Sequence, residues 1–116
     1  MSRPVHKATI LFTLAVLIAL ALPAAAATTP QQLTTNTTND QSTDVALDPA
    51  GNTHVVYERD GTIYYRGRTT TGWTDEETVA TGTNPAVGAG TSGVPQVVFL
   101  ASGGIWHTSR AEATWQ

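Results

Sequence analysis

Slid against itself by 42 residues, the sequence beyond Ser42 matches without a gap. Gly51 meets Gly93, Val55 meets Val97, Val56 meets Val98, Gly61 meets Gly103, Ile63 meets Ile105, Arg68 meets Arg110 and Trp73 meets Trp115. Conservative pairs lie between them: Val45 opposite Val87, Tyr57 opposite Phe99, Tyr64 opposite Trp106. An ungapped repeat means one supersecondary unit used twice, each unit hiding its apolar flank against a neighbour. A period near 42 with strand-like content is that of a β-propeller blade.

The local signals agree. "TDVAL" is a short β-prone segment closed by "DPAGN", a turn built on Pro49 and Gly51. "THVVYE" is β-branched and aromatic, Asp60-Gly61 is a hairpin signal, "TIYYRG" makes a third strand, and "EETVAT" follows "TTTGW" as the fourth. Val55-Val56-Tyr57 and Val97-Val98-Phe99 are continuous apolar runs, as expected of strands covered on both faces. No segment after the leader has the 3.6-residue apolar spacing of a helix. The expected fold is all-β: two four-stranded antiparallel propeller blades preceded by a signal peptide. The first blade spans residues 42–83. The second, 84–116, is incomplete, because "PAVGA", "PQVVFL" and "GIWHT" supply three strands and the sequence stops where a fourth begins. Residues 28–41 are either a polar leader or a blade-closing strand around Leu33.

The first 27 residues read as a secretory signal peptide. Arg3 and Lys7 precede the apolar run "ATILFTLAVLIALAL", which ends in "PAAAA". That run is short for a membrane span of roughly 20 residues. The expected location is therefore secreted or periplasmic. After removal of residues 1–27, four arginines stand against nine carboxylates, a net charge of −5. Such a surface repels phosphate backbones and argues against nucleic acid. With no cysteine there is no disulfide, so stability rests on a packed core or on partner subunits.

Two blades cannot close a ring, and their outer faces would expose apolar side chains. The chain is then expected either to be part of a longer propeller or to form a homo-oligomer by head-to-tail contacts that close. The abrupt end at Gln116 favours the former.

The phrase "LDPAGNTHVVYERDGTIYYR" with a following "GWT" resembles the secreted β-propeller repeats of the sialidase-like (BNR-like) group. That resemblance covers most of Ser42–Gln116. True sialidases would imply glycoside hydrolysis with a Tyr nucleophile relayed by Glu, a separate Asp, and three arginines clamping a carboxylate. Arg59, Arg66, Tyr64, Tyr65 and Glu58 have suitable chemistry, but no F/Y-R-I-P phrase or Asp-box is present, and Asp48 stands three residues before Gly51 where that box requires two. The length and Gly72-Trp73 are also similar to two-blade fucose-binding propeller lectins, whose anchoring Arg and Glu fall here at Val55, Val97, Tyr65 and His107. The expected role is noncatalytic: a binding or interaction segment with carbohydrate as the leading ligand class. The alternative is part of a sialidase-type glycoside hydrolase whose catalytic blades lie elsewhere. Candidate ligand-binding residues are Trp73, Trp115, Tyr65, Trp106 and Arg66, with structural wedging between blades the simpler role for Trp73 and Trp115. No catalytic residue and no cofactor are expected. A repeated metal site is not supported, since His54 and His107 occupy different repeat positions.

Overall fold

The β-branched and aromatic runs of both repeats form strands, and the glycine- and aspartate-bearing links between them form turns, in a computed structural model that describes residues 29–116. The proposed signal segment lies outside the described residues. Residues 29–40 carry no strand. All described strands lie within one unit, Thr35–Gln116. They are β1 (Gln41–Leu47), β2 (Thr53–Arg59), β3 (Thr62–Thr69), β4 (Gly72–Trp73), β5 (Glu77–Thr81), β6 (Thr83–Ala89), β7 (Pro95–Ala101), β8 (Gly104–Ala111) and β9 (Thr114–Trp115). Among the described residues there is no helix, and the chain is all-β.

Two antiparallel sheets result. The first runs β1-β2-β3, with both the two-residue β4 and the longer β5 paired to β3, and the second runs β6-β7-β8-β9. The repeat survives at the level of hydrogen-bond register. Val45 pairs with Val55 and Val87 with Val97; Tyr57 pairs with Tyr64 and Phe99 with Trp106; Arg68 pairs with Trp73 and Arg110 with Trp115. Even the irregularity recurs, between Gln41 and Asp44 in β1 and between Thr83 and Ala86 in β6, with Ser42 and Asn84 at φ 54 and 52. An extra residue in one strand bends it and sharpens its twist, so a repeated bulge repeats a curvature.

The β2–β3 hairpin turns on Asp60-Gly61 (φ 51 and 76) and the β7–β8 hairpin on Ser102-Gly103 (φ 45 and 74). Two positive φ values in a two-residue loop make the turn whose twist matches the flanking strands, hence Asp-Gly. The short β3–β4 and β8–β9 ribbons differ. The first turns through Thr70-Thr71 into Gly72 (φ 121), whereas the second places Glu112 and Ala113 at φ 48 and 73 without a glycine.

Side chains alternate across a strand, so each sheet has two faces. One face of the first sheet carries His54, Val56, Glu58, Ile63 and Tyr65, all buried. The face of the second sheet that carries Val87, Val97, Phe99 and Ala101 packs against it, with β6 lying over β1 and β2. Val56, Ile63, Tyr65, Val97 and Phe99 form the core, with Val79, Ala80 and Trp115 at its edge. Polar groups register the joint. Asp44 Oδ2 accepts from the Val87 amide (2.8 Å), and Glu58 Oε2 accepts from the Asn84 amide (3.2 Å).

The continuous apolar runs are covered unequally. Val55, Val56 and Tyr57 are all buried, as a two-sided strand requires. In the second repeat Val97 and Phe99 are buried but Val98 is 42% exposed. Ile105, counterpart of the fully buried Ile63, is 77% exposed.

Candidate functional site

Where β2 and β3 leave the first sheet, a cleft of about 190 Å³ opens toward the second repeat. It is built outward from the turn "DPAGN". Pro49 and Gly51 let the chain fold back, and the Asp48 carboxylate closes the loop by accepting from the amides of Ala50 (2.9 Å) and Asn52 (3.0 Å) and from the Asn52 side chain (3.1 Å). This leaves Oδ2 aimed at His54, whose Nε2 stands 3.0 Å away. The other ring nitrogen, Nδ1, is 2.9 Å from the Tyr65 hydroxyl. With Nε2–H donating to the carboxylate, Nδ1 of the neutral ring accepts the phenol hydrogen of Tyr65. A chain Tyr65–His54–Asp48 thus crosses the floor of the cleft, and all three members are buried.

Gly67 makes this geometry possible. It sits opposite His54 in the β2–β3 ladder, and a Cβ there would lie 2.5 Å from the Tyr65 hydroxyl. The Tyr65 ring meets Trp115 edge-on at 5.2 Å, with the Arg110 guanidinium 6.0 Å from its centroid. Glu77 ties these two together, accepting from Arg110 Nε (3.0 Å) and from Trp115 Nε1 (3.1 Å).

The electrostatics of these groups follow from their partners. The His54 hydrogen bond, opposed by burial and aided by the turn amides, holds the Asp48 carboxyl down to about 2. Burial pushes the Tyr65 phenol up, against the pull of Arg110. Glu77 raises Arg110 further above its usual range through their hydrogen bond. Near neutral pH the Asp48 carboxylate is thus ionised and the Tyr65 phenol neutral.

The remaining wall is less committed. Arg68 and Arg110, one of the identical pairs of the 42-residue repeat, both line the cleft, together with Asn52, Thr69 and Thr74. Arg68 is exposed. The recorded bonds of Arg110 run through Nε, and its two terminal nitrogens have no acceptor among the described residues. Unsatisfied guanidinium donors beside hydroxyls and a side-chain amide suit a polar ligand rich in oxygen.

A second polar cluster lies on the outer face of the first sheet. Arg59 grips Glu76 through both terminal nitrogens (3.0 and 2.8 Å), donates to Asp40 from Nε (2.7 Å), and lies 4.5 Å over the Tyr64 ring. The Tyr57 hydroxyl donates to Glu76 at 2.5 Å. Tyr, Glu and Arg are the residue types of sialidase chemistry, but burial and the Glu76 carboxylate push the Tyr57 phenol up, and Arg59 holds Glu76 down. A nucleophilic phenol needs the opposite shift.

Of the five sequence-predicted ligand residues, the structure brings together two. Tyr65 forms the cleft floor, and Trp115 supports it from the core side. Arg66 points to the other face of β3, with Nε bonded to the Thr74 carbonyl (2.8 Å). Trp73 lies half-buried in the β3–β4 ribbon, paired with Arg68. Trp106 stands away from the cleft, 53% exposed, its Nε1 donating to the Ala101 carbonyl (2.7 Å). Sequence reasoning passed over Asp48, His54, Gly67, Arg68, Glu77 and Arg110 as site residues. Two signals were present: the D-x-x-G-N-x-H phrase, and the identity of Arg68 with Arg110.

Compared with protein-family models, curated proteins and solved structures, the chain finds no match.

Proposed function

We propose that the two sheets are successive blades of a β-propeller, that residues 1–27 direct the chain out of the cell, and that the cleft between the blades binds a polyhydroxylated ligand of the carbohydrate class without turning it over. The period and the two-blade reading rest on the repeat and its shared register. The binding reading rests on one observation: two repeat-equivalent arginines converge on a single polar cleft whose acid and base groups are already committed to one another.

A glycan array probed with the purified protein tests it, followed by titration of the best saccharide against Arg68→Ala. Arg68 is exposed, so its loss leaves the fold intact and should weaken binding about tenfold, as expected for one charge-assisted hydrogen bond. Failure of every saccharide to bind, or equal affinity of the variant, rejects the cleft as the site. Turnover of a fluorogenic sialoside would replace this reading with the glycoside-hydrolase alternative.

A further inference from the structure

The two repeats share the register of their hairpins, though β5 has no counterpart beside β8, and the face that the first sheet buries against the second has no cover on the second sheet among the described residues. Val98, Leu100 and Ile105 occupy the positions of Val56, Glu58 and Ile63, and they are 42%, 42% and 77% exposed. A hollow of about 700 Å³, lined by Thr81, Leu100, Ala101 and Ile105, opens beside them. At the other end of the stack, β1 presents Val45 and Leu47, 58% and 68% exposed, on the face equivalent to that by which Val87 enters the core.

The molecule itself demonstrates what fits such a face. Inside the chain, β6 and its Val87 lie over β1 and β2 of the preceding repeat. Moving that arrangement on by one repeat sets a β1 over β6 and β7, with Val45 and Leu47 above Val98 and Leu100. We infer that a second copy of this chain docks by β1 onto the open face of the second sheet, head to tail, continuing the internal stack. Each copy then offers one surface of each kind, so copies add in one direction and end only when a ring closes.

This joint differs from the internal one in its chemistry. Asp44 and Glu58, which accept amides of β6 inside the chain, are replaced at the open face by Ala86 and Leu100. Polar registration is exchanged for apolar contact, and the association should be insensitive to salt. Leu100, as an exposed apolar residue where the first repeat has a buried carboxylate, is what a dry joint requires.

The test uses the purified protein in light scattering with size exclusion, alone and as Leu47→Asp and Ile105→Asp. Both sites are exposed, so both variants should fold, and far-ultraviolet dichroism checks this; Leu100→Asp stands in should Ile105→Asp fail to fold. The wild type should be a multimer whose mass is unchanged between 0.05 and about 1 M salt. Each variant alone should be a monomer. Mixed, they should form a 1:1 dimer, because the intact β1 of Ile105→Asp meets the intact second sheet of Leu47→Asp. A monomeric wild type overturns the inference and leaves the face to another repeat or partner. Multimers of Leu47→Asp alone point to a two-fold, like-with-like contact and overturn it too, as does failure of the two variants to combine.

Discussion

Ile63 and Ile105 occupy the same register position in the same kind of hairpin, and one is fully buried while the other is 77% exposed. The strands that carry them are not responsible. Both are long, antiparallel and flanked by an equivalent turn. The difference lies in the neighbours: the second repeat covers the first and β5 flanks Ile63 through Ala80, whereas nothing described does either for Ile105. A residue's burial in a stacked-sheet protein is thus a property of its place in the stack. Identical apolar side chains then report on different things, folding in one repeat and association in the other.

The largest effect expected from this contrast is at the isoleucines themselves. Ile63→Ala should cost about 3 kcal/mol in denaturant unfolding, since the cavity it leaves is walled by packed core. Ile105→Ala in dilute solution should change stability by no more than about 0.5 kcal/mol. Comparable losses at both sites would show that the second sheet is covered in solution.

Next comes the polar registration that only the first repeat has. Asp44→Ala removes the acceptor of the Val87 amide and should cost about 2 kcal/mol, as for hydrogen bonds to a charged group. The reverse change in the second repeat, Ala86→Asp, should cost well under half of that, because no amide waits for it among the described residues.

The short ribbons sharpen the comparison further. Ala113 holds φ 73 in a turn whose counterpart uses Gly72. Ala113→Gly relieves a left-handed conformation and should raise stability by about 0.5–1 kcal/mol, while Gly72→Ala should lower it. A neutral result at Ala113 would mean that the ribbon is already frayed.

The last contrast is read from pH dependence, in the turn that both repeats make but only the first caps with a carboxylate, since Gly90 stands in place of Asp48. The Asp48 carboxyl is held down to about 2, below its ordinary value near 4. Its contribution is therefore fully present above about pH 4 and is lost as the pH falls through 2. Asp48→Asn should flatten the acid limb of a stability–pH curve over that window. An unchanged limb would mean that His54 and the turn amides do not hold the carboxylate in solution.

How much of this was legible beforehand follows from what kind of interaction each feature depends on. Strand order, hairpin positions and the Asp60-Gly61 turn were readable because they depend on neighbours in sequence. The two-residue β4 and β9 were not, because "TTTGW" and "AEATW" are too short to show a period. The site was less readable. Aromatic residues were favoured as platforms, yet Trp115 spends its ring on Tyr65 and its nitrogen on Glu77, two contacts made across 50 and 38 residues of chain. Trp106 kept its exposure for a different reason: Ala101 has replaced the arginine that covers Tyr64 in the first repeat.

The sequence by itself determined the repeat, the longer strands and the hairpin turns between them, because alternation, β-branching and positive-φ residues act over a few bonds. Only the tertiary structure decided which of two equivalent faces is core, which arginines share a cleft, and where His54 finds its two partners. Those outcomes depend on which sheet lies against which, and stacking has one inside and two ends however alike its layers are.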